Sequence, residues 1–157
     1  MANVLIVAYG NPLRSDDGLA SRAARELEGK FPDTRVEILS QHQLVPELAE
    51  TVSLFECVIF IDAAFPQSPQ SGRPGELRVR EITSAEVDRR ARSSHVLSPD
   101  VVVALAAELY HAQVKAFSVT VTGQNFEHGD SLSPAVAAAI PLLTERVSAL
   151  VRQALSN

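Results

Sequence analysis

The chain is predicted to be α/β: a mostly parallel, twisted sheet of about five strands with helices on both faces, in a single domain over residues 1–157. Three observations lead there. Short runs rich in β-branched residues alternate with segments of helical period. Two of those runs, "NVLIVAYG" (3–10) and "CVIFIDAA" (57–64), are almost wholly apolar, as strands covered on both faces are. A length of 157 residues, 46% of them hydrophobic, is that of one ordinary core.

The first strand, 3–10, leads into a helix over 15–31, with Ser15 as N-cap and Leu19, Ala23, Ala24 and Leu27 on the apolar face. Gly29 and Pro32 are its stop signals. "RVEIL" (35–39) is a second strand, and "PELAETVSLF" (46–55) a helix with Pro46 near its first turn. The third strand, 57–64, carries an acid, Asp62, toward its carboxyl end. A Pro-, Gly- and Ser-rich loop (65–75) precedes "ELRVREI" (76–82), whose alternation suits an edge strand. With no helix in that loop, the edge strand is free to run antiparallel. "SPDVVVALAAELYHA" (98–112) is a helix with Ser98 as N-cap and Pro99 at its first position. A last strand (116–123) and a long helix (133–155) follow, with Pro141 expected to kink that helix or shift its start.

Charge and cysteine content narrow the function. A formal charge of −5 argues against a nucleic-acid partner, and the one basic cluster, "DRRARSSH" (88–95), is expected to be solvated. The single cysteine, Cys57, excludes a disulfide framework and is expected to pack as a small buried hydrophobe. No apolar run is expected to span a bilayer, and the N-terminus lacks the marks of a signal peptide. The cytoplasm is the expected location, with no membrane association, and a monomer is the expected state.

In a doubly wound sheet, ligands bind beyond the carboxyl ends of the strands, at the switch in strand order. Asp16 and Asp17 lie in the first helical turn after strand one, and Asp62 ends strand three. If those strands are neighbours, all three acids face one crevice. One acid in a first helical turn is explained by the helix dipole. Converging carboxylates repel unless a proton or cation joins them. His95, in "SSHVLSP", lies three residues before Ser98 and is a candidate third ligand. Two carboxylates and an imidazole suit first-row divalent metals such as nickel, zinc, manganese or iron, and three ligands leave positions open. His42, after the second strand, could line the same crevice; His111 ends a helix and His128 sits in a polar turn. The chain has no Gly-x-Gly-x-x-Gly, no Walker lysine, no Gly-x-Ser-x-Gly elbow and no His-Glu-x-x-His.

"VLIVAYGNPLRSDDGLA" resembles the N-terminal signature of the nickel–iron hydrogenase maturation endopeptidases, Gly-Asn-x-Leu-x-x-Asp-Asp/Glu-Gly after a first strand. "VIFIDAA", "SSHVLSP" and "TVTGQNFEHGDSLSPAVAAAI" extend the resemblance in order along nearly the whole chain. It implies a hydrolase that removes the C-terminal extension of a hydrogenase large-subunit precursor after nickel insertion. Carried over by motif, Asp17, Asp62 and His95 are the metal-contacting and catalytic residues, and the nickel is the precursor's own, so that the resting enzyme can be metal-free. Asp16, His42 and Gln124 are expected on the substrate side, with Asp16 alternatively a supporting acid. Departures fall at Ala8 and Ala20, where the family often has glycine, at "LSQHQLVPEL" in place of a Gly-rich turn, and at "GQN" in place of Gln-Pro.

Two rivals use the same acids. A receiver-like signalling domain places its acid pair directly after strand one and a lysine at the end of strand five. Here six residues, Gly10 to Ser15, intervene, and Lys115 stands at the opposite end of the last strand. A non-catalytic metal-binding or metallochaperone module would bind nickel through the same residues and cut nothing.

Overall fold

Strands Val4–Tyr9 (β1) and Cys57–Ala64 (β3) pair in parallel in the interior of the sheet, because their nearly unbroken apolar sequence allows both faces to be covered. A computed structural model of the chain describes residues 3–66, 72–83 and 97–156. Val36–Gln41 (β2) pairs in parallel with the other side of β1, and Lys115–Thr122 (β5) in parallel with β3. Leu77–Ile82 (β4) closes the far edge antiparallel to β5, giving the order β2-β1-β3-β5-β4. The polar–apolar alternation of β4 thus reports an edge, and its helix-free approach permits the reversed direction.

Strand pleating divides the core in two. Val4, Ile6 and Ala8 of β1, with Cys57, Ile59 and Ile61 of β3, face the helices Leu19–Leu27 (α1) and Pro134–Leu155 (α4). Leu5, Val7, Val58 and Phe60 face Leu48–Ser53 (α2) and Pro99–Tyr110 (α3) on the other side. With α1 and α2 on opposite faces, the strand order reverses between β1 and β3, and a crevice opens at their carboxyl ends. The antiparallel β4 at the edge, and β5 directly beside β3, depart from the 2-1-3-4-5 order of receiver domains, which removes that rival. Lys115 begins β5, at the end of the strand away from the crevice.

Several expectations need correction. The helix predicted over 15–31 is a short 3-10 helix, Ser15–Gly18, followed by α1. Ser15 is no N-cap: it has φ +53°, and its hydroxyl donates to the Glu127 carbonyl at 2.8 Å. Ser98, by contrast, caps α3 as predicted, accepting the Val101 N–H at 3.3 Å. The helix over 46–55 shortens to α2, after turns at 46–47. Pro141 does not shift the start of α4, which runs from Pro134 to Leu155 with the proline on its exposed side. That helix is also long and apolar enough to cross a bilayer by length and composition, where no apolar run was expected to span one. In the fold, Val136, Ile140, Leu143, Val147 and Val151 form its buried stripe, packed with β1, β3 and α1. Cys57 is buried at the start of β3 and its thiol is pushed up to about 11, chiefly by burial, with Lys115 pulling weakly the other way. It is therefore a packing residue far from the crevice.

Candidate active site

The crevice between β1 and β3 is a cleft of about 670 Å³. Tyr9 and Gly10 enter it from the end of β1, Asp62 and Ala63 from β3, and Asp17 from the 3-10 helix. The segment after β2 contributes His42 to Pro46, and Leu97 comes from just before α3. Asp17, Asp62 and His42 are thus brought together as the topology requires. His95 lies outside the described residues. Among the described residues, no three His, Cys, Asp or Glu side chains are grouped so as to hold a metal ion.

Backbone geometry fixes Asp17. Gly10 has φ +148°, and a Cβ there would collide with the Asp17 carbonyl, so only glycine lets the two backbones approach. Asp17 Oδ2 accepts the Asn11 N–H at 2.7 Å, and Asn11 Oδ1 accepts the Leu13 N–H at 2.9 Å. The turn "GNPL" is thereby tied to the acid it presents.

Asp62 is half-buried, and its Oδ1 accepts its neighbour Ala63's N–H at 2.8 Å. Burial raises its pKa to about 7; a hydrogen bond from Tyr9 opposes the rise, the Asp17 charge adds to it, and the Ala63 N–H opposes it again. The carboxyl can therefore give or take a proton near neutrality. Tyr9 follows the last β1–β3 pair, Ala8 with Ile61, which brings it beside Asp62. Burial, and then the Asp62 charge, hold the phenol well above its ordinary pKa, so it stays a neutral donor.

Of the two roles expected of Asp16, the structure fits the supporting acid and not the substrate-side residue. It is fully buried, at 0% exposure, and so cannot meet a substrate. Its Oδ1 accepts the Ser133 N–H at 2.7 Å. Its Oδ2 accepts the N–H groups of Gln124 and Asn125, at 2.7 and 2.9 Å, and the Ser133 hydroxyl at 2.8 Å. Burial works to raise its pKa, but these bonds, led by the Ser133 N–H, outweigh it and hold the carboxyl below the usual range. The acid of the first helical turn thus binds the N-terminus of the last helix. Gln124 is exposed and lies outside the cleft lining, and its N–H donates to Asp16. Gly123 makes room for this junction, since a Cβ there would run into the Phe126 ring.

Sequence reasoning missed Tyr9, Arg14 and Phe65, which also line the cleft. Tyr9 was signalled by position, as the residue ending β1 where Asp62 nears the end of β3. Phe65 begins the loop after β3, and its ring packs on Phe126 with centroids 4.4 Å apart. A second hollow of about 630 Å³, around Glu81, His111 and Lys115, lies at the other end of the sheet and holds none of the expected site residues.

No protein-family model matches the chain, and no curated protein matches it. Solved structures do. The chain is similar to the hydrogenase maturating endopeptidase HybD from E. coli, with 23% identity and TM-score 0.73 over 96% of this chain and 93% of that one. It is similar to a NiFe hydrogenase maturation protease HybD from Thermococcus kodakarensis, with 24% identity and TM-score 0.68 over 94% and 98%. A hydrogenase 2 maturation peptidase from a Thaumarchaeota archaeon gives 20% identity and TM-score 0.70 over 95% and 97%. At these identities the likeness establishes the fold, and activity has to be argued from the cleft.

Proposed function

We propose that this protein is a hydrolase: an endopeptidase that removes the C-terminal extension of a nickel–iron hydrogenase large-subunit precursor once nickel is in place. The carrying observation is that Asp17 and Asp62, distant in sequence, line one cleft at the carboxyl ends of neighbouring strands. The fold's likeness to structures described as hydrogenase maturation peptidases supports the reaction class.

Two carboxylates that share a cleft and are held by backbone N–H groups rather than by lysine or arginine favour a proton or a divalent cation between them. The precursor's nickel is that cation. Asp17 and Asp62 take it as oxygen ligands, with His95 as the expected nitrogen ligand, and this docking sets the scissile peptide over the cleft. Asp17 and Asp62 would hold the metal, and one of these carboxylates would take the proton of the water that attacks the peptide carbonyl and pass it to the leaving amine. A precursor without nickel lacks the anchor and is not cut.

The test is mass spectrometry of a large-subunit precursor after incubation with the protein, with and without nickel. We expect C-terminal mass loss only with nickel, and a rate at least about 100-fold lower for Asp17→Asn. Stoichiometric nickel binding without mass loss would assign the protein to the metal-binding rival. An Asp17→Asn protein that cuts at the wild-type rate would remove this mechanism.

A further inference from the structure

We infer that Arg14 is a carboxylate-reading residue of the cleft, binding an acidic group of the substrate peptide beside the Phe65–Phe126 aromatic pair. The inference takes its substrate from the endopeptidase reading and its chemistry from the cleft itself.

Among the described residues, Arg14 is the one lysine or arginine lining the cleft. Asp17 and Asp62 line the same space, yet no ion pair joins either of them to Arg14. The side chain is tethered elsewhere instead. Arg14 Nε donates to the Phe126 carbonyl at 3.3 Å, which commits that edge of the guanidinium and leaves the two Nη groups for another acceptor. The backbone beneath is held on both sides: the Arg14 N–H donates to Asn11 O at 3.1 Å, and its carbonyl accepts the Asp17 N–H at 3.1 Å. Gly129 N–H donates to Leu13 O at 2.8 Å and the Ser15 N–H to Gly129 O at 2.8 Å, which tie the Gly123–Ser133 segment to the Arg14 turn. An Arg fork on a fixed base is preorganised for end-on binding of a carboxylate.

The surroundings select the occupant. A cleft with two carboxylates, in a chain of formal charge −5, repels an acidic peptide everywhere except near a cation. Phe65 is 58% exposed at the cleft, and its ring rests on Phe126, whose carbonyl holds Arg14. An apolar side chain next to an acidic group on one extended peptide would meet both features at once. The carboxylate could belong to an Asp or Glu side chain or to the peptide's own C-terminus.

Two measurements test this. In the first, the Arg14 Nε–H signal of the whole protein is followed by NMR during titration with two peptide pairs at low salt. One pair is N-acetyl-Ala-Leu-Glu-Leu-Ala-amide and its Gln counterpart; the other is N-acetyl-Ala-Leu-Ala-Leu-Ala as the free acid and as the amide. A shift with the Glu peptide alone identifies a side-chain carboxylate, and a shift with the free acid alone identifies a chain terminus; both support the inference. Equal responses within both pairs overturn it. In the second, Arg14→Gln should raise KM for the nickel-loaded precursor about tenfold and change kcat far less, with Arg14→Lys between the two. An unchanged KM overturns the inference. If the wild-type protein cuts no precursor, the endopeptidase reading falls and the peptide titration alone decides the role of Arg14.

Discussion

Asp16, where the 3-10 helix meets α4, and Asp62, near the end of β3, are both withdrawn from water, yet the withdrawal has opposite consequences. Asp16 is met by three backbone N–H groups and a hydroxyl, so its charge is better solvated inside the protein than outside and its pKa falls. Asp62 has one backbone N–H and the Tyr9 hydroxyl, with the Asp17 charge nearby, and burial wins: its pKa rises to about 7. Burial alone therefore does not decide what a carboxylate does; the number of donors aimed at it does. The fully satisfied acid holds two ends of the chain together, and the under-satisfied one is left with an appetite for a proton or a cation.

Removing the satisfied acid should cost most. Asp16→Ala leaves three backbone donors without their acceptor at a part-buried junction and should lower stability by about 2–4 kcal/mol, read as a fall in the urea midpoint. It should do so without altering which residues line the cleft, so any folded fraction should still bind nickel. Because the folded pKa of Asp16 lies below its unfolded value, its contribution is full above the unfolded pKa and is lost as pH falls through the folded one. A variant as stable as wild type at pH 7 would erase the contrast between the two acids.

The under-satisfied acid should behave in the reverse sense. Folded, Asp62 keeps its proton up to about pH 7, whereas in the unfolded chain the group ionises near 4. Between those values the folded state binds more protons, so the contribution is full below about pH 4 and is lost as pH rises through about 7. Asp62→Asn removes that loss. It should be more stable than wild type at pH 8, by about 2 kcal/mol once the solvent reaching this half-buried side chain is allowed for, with the gap closing toward pH 4. The same variant should not cut. Denaturation midpoints from pH 4 to 8 check the first claim, and a stability gap that widens toward acid would contradict it.

Much of this was legible in the sequence. The apolar runs of β1 and β3, and the rule that ligands gather where strand order reverses, point to Asp17 and Asp62, together with Asp16. By resemblance, "GNPLRSDDG" selects Asp17 and "VIFIDAA" selects Asp62. What stayed hidden was long-range: nothing local distinguishes Asp16 from Asp17, because the donors that separate them come from Gln124, Asn125 and Ser133, more than 100 residues away. Ser15 was misread for a related reason. Serine before two acids and a helix looks like an N-cap, but the Glu127 carbonyl captures its hydroxyl from across the fold. Tyr9 was overlooked because the apolar run containing it was read only for strand character, while its hydroxyl answers to β3.

Tyr9 also gives the finest test of the comparison, since it supplies Asp62 with one of its few donors. If donor number sets the fate of a buried carboxylate, Tyr9→Phe should move Asp62 further from Asp16 in character. With the hydroxyl gone, burial and the Asp17 charge act with less opposition, and the Asp62 pKa should climb above about 7. A cleavage rate that needs the ionised carboxylate should then show the acid limb of its kcat/KM profile displaced upward by roughly one pH unit. The stability cost should stay near 1 kcal/mol, because the ring and its packing against the core on the α2–α3 face of the sheet persist. An acid limb that stays in place would mean that the Tyr9 hydroxyl does not act on Asp62; one that moves downward would mean that it favours the protonated form, and the donor-counting account of the two acids would be wrong.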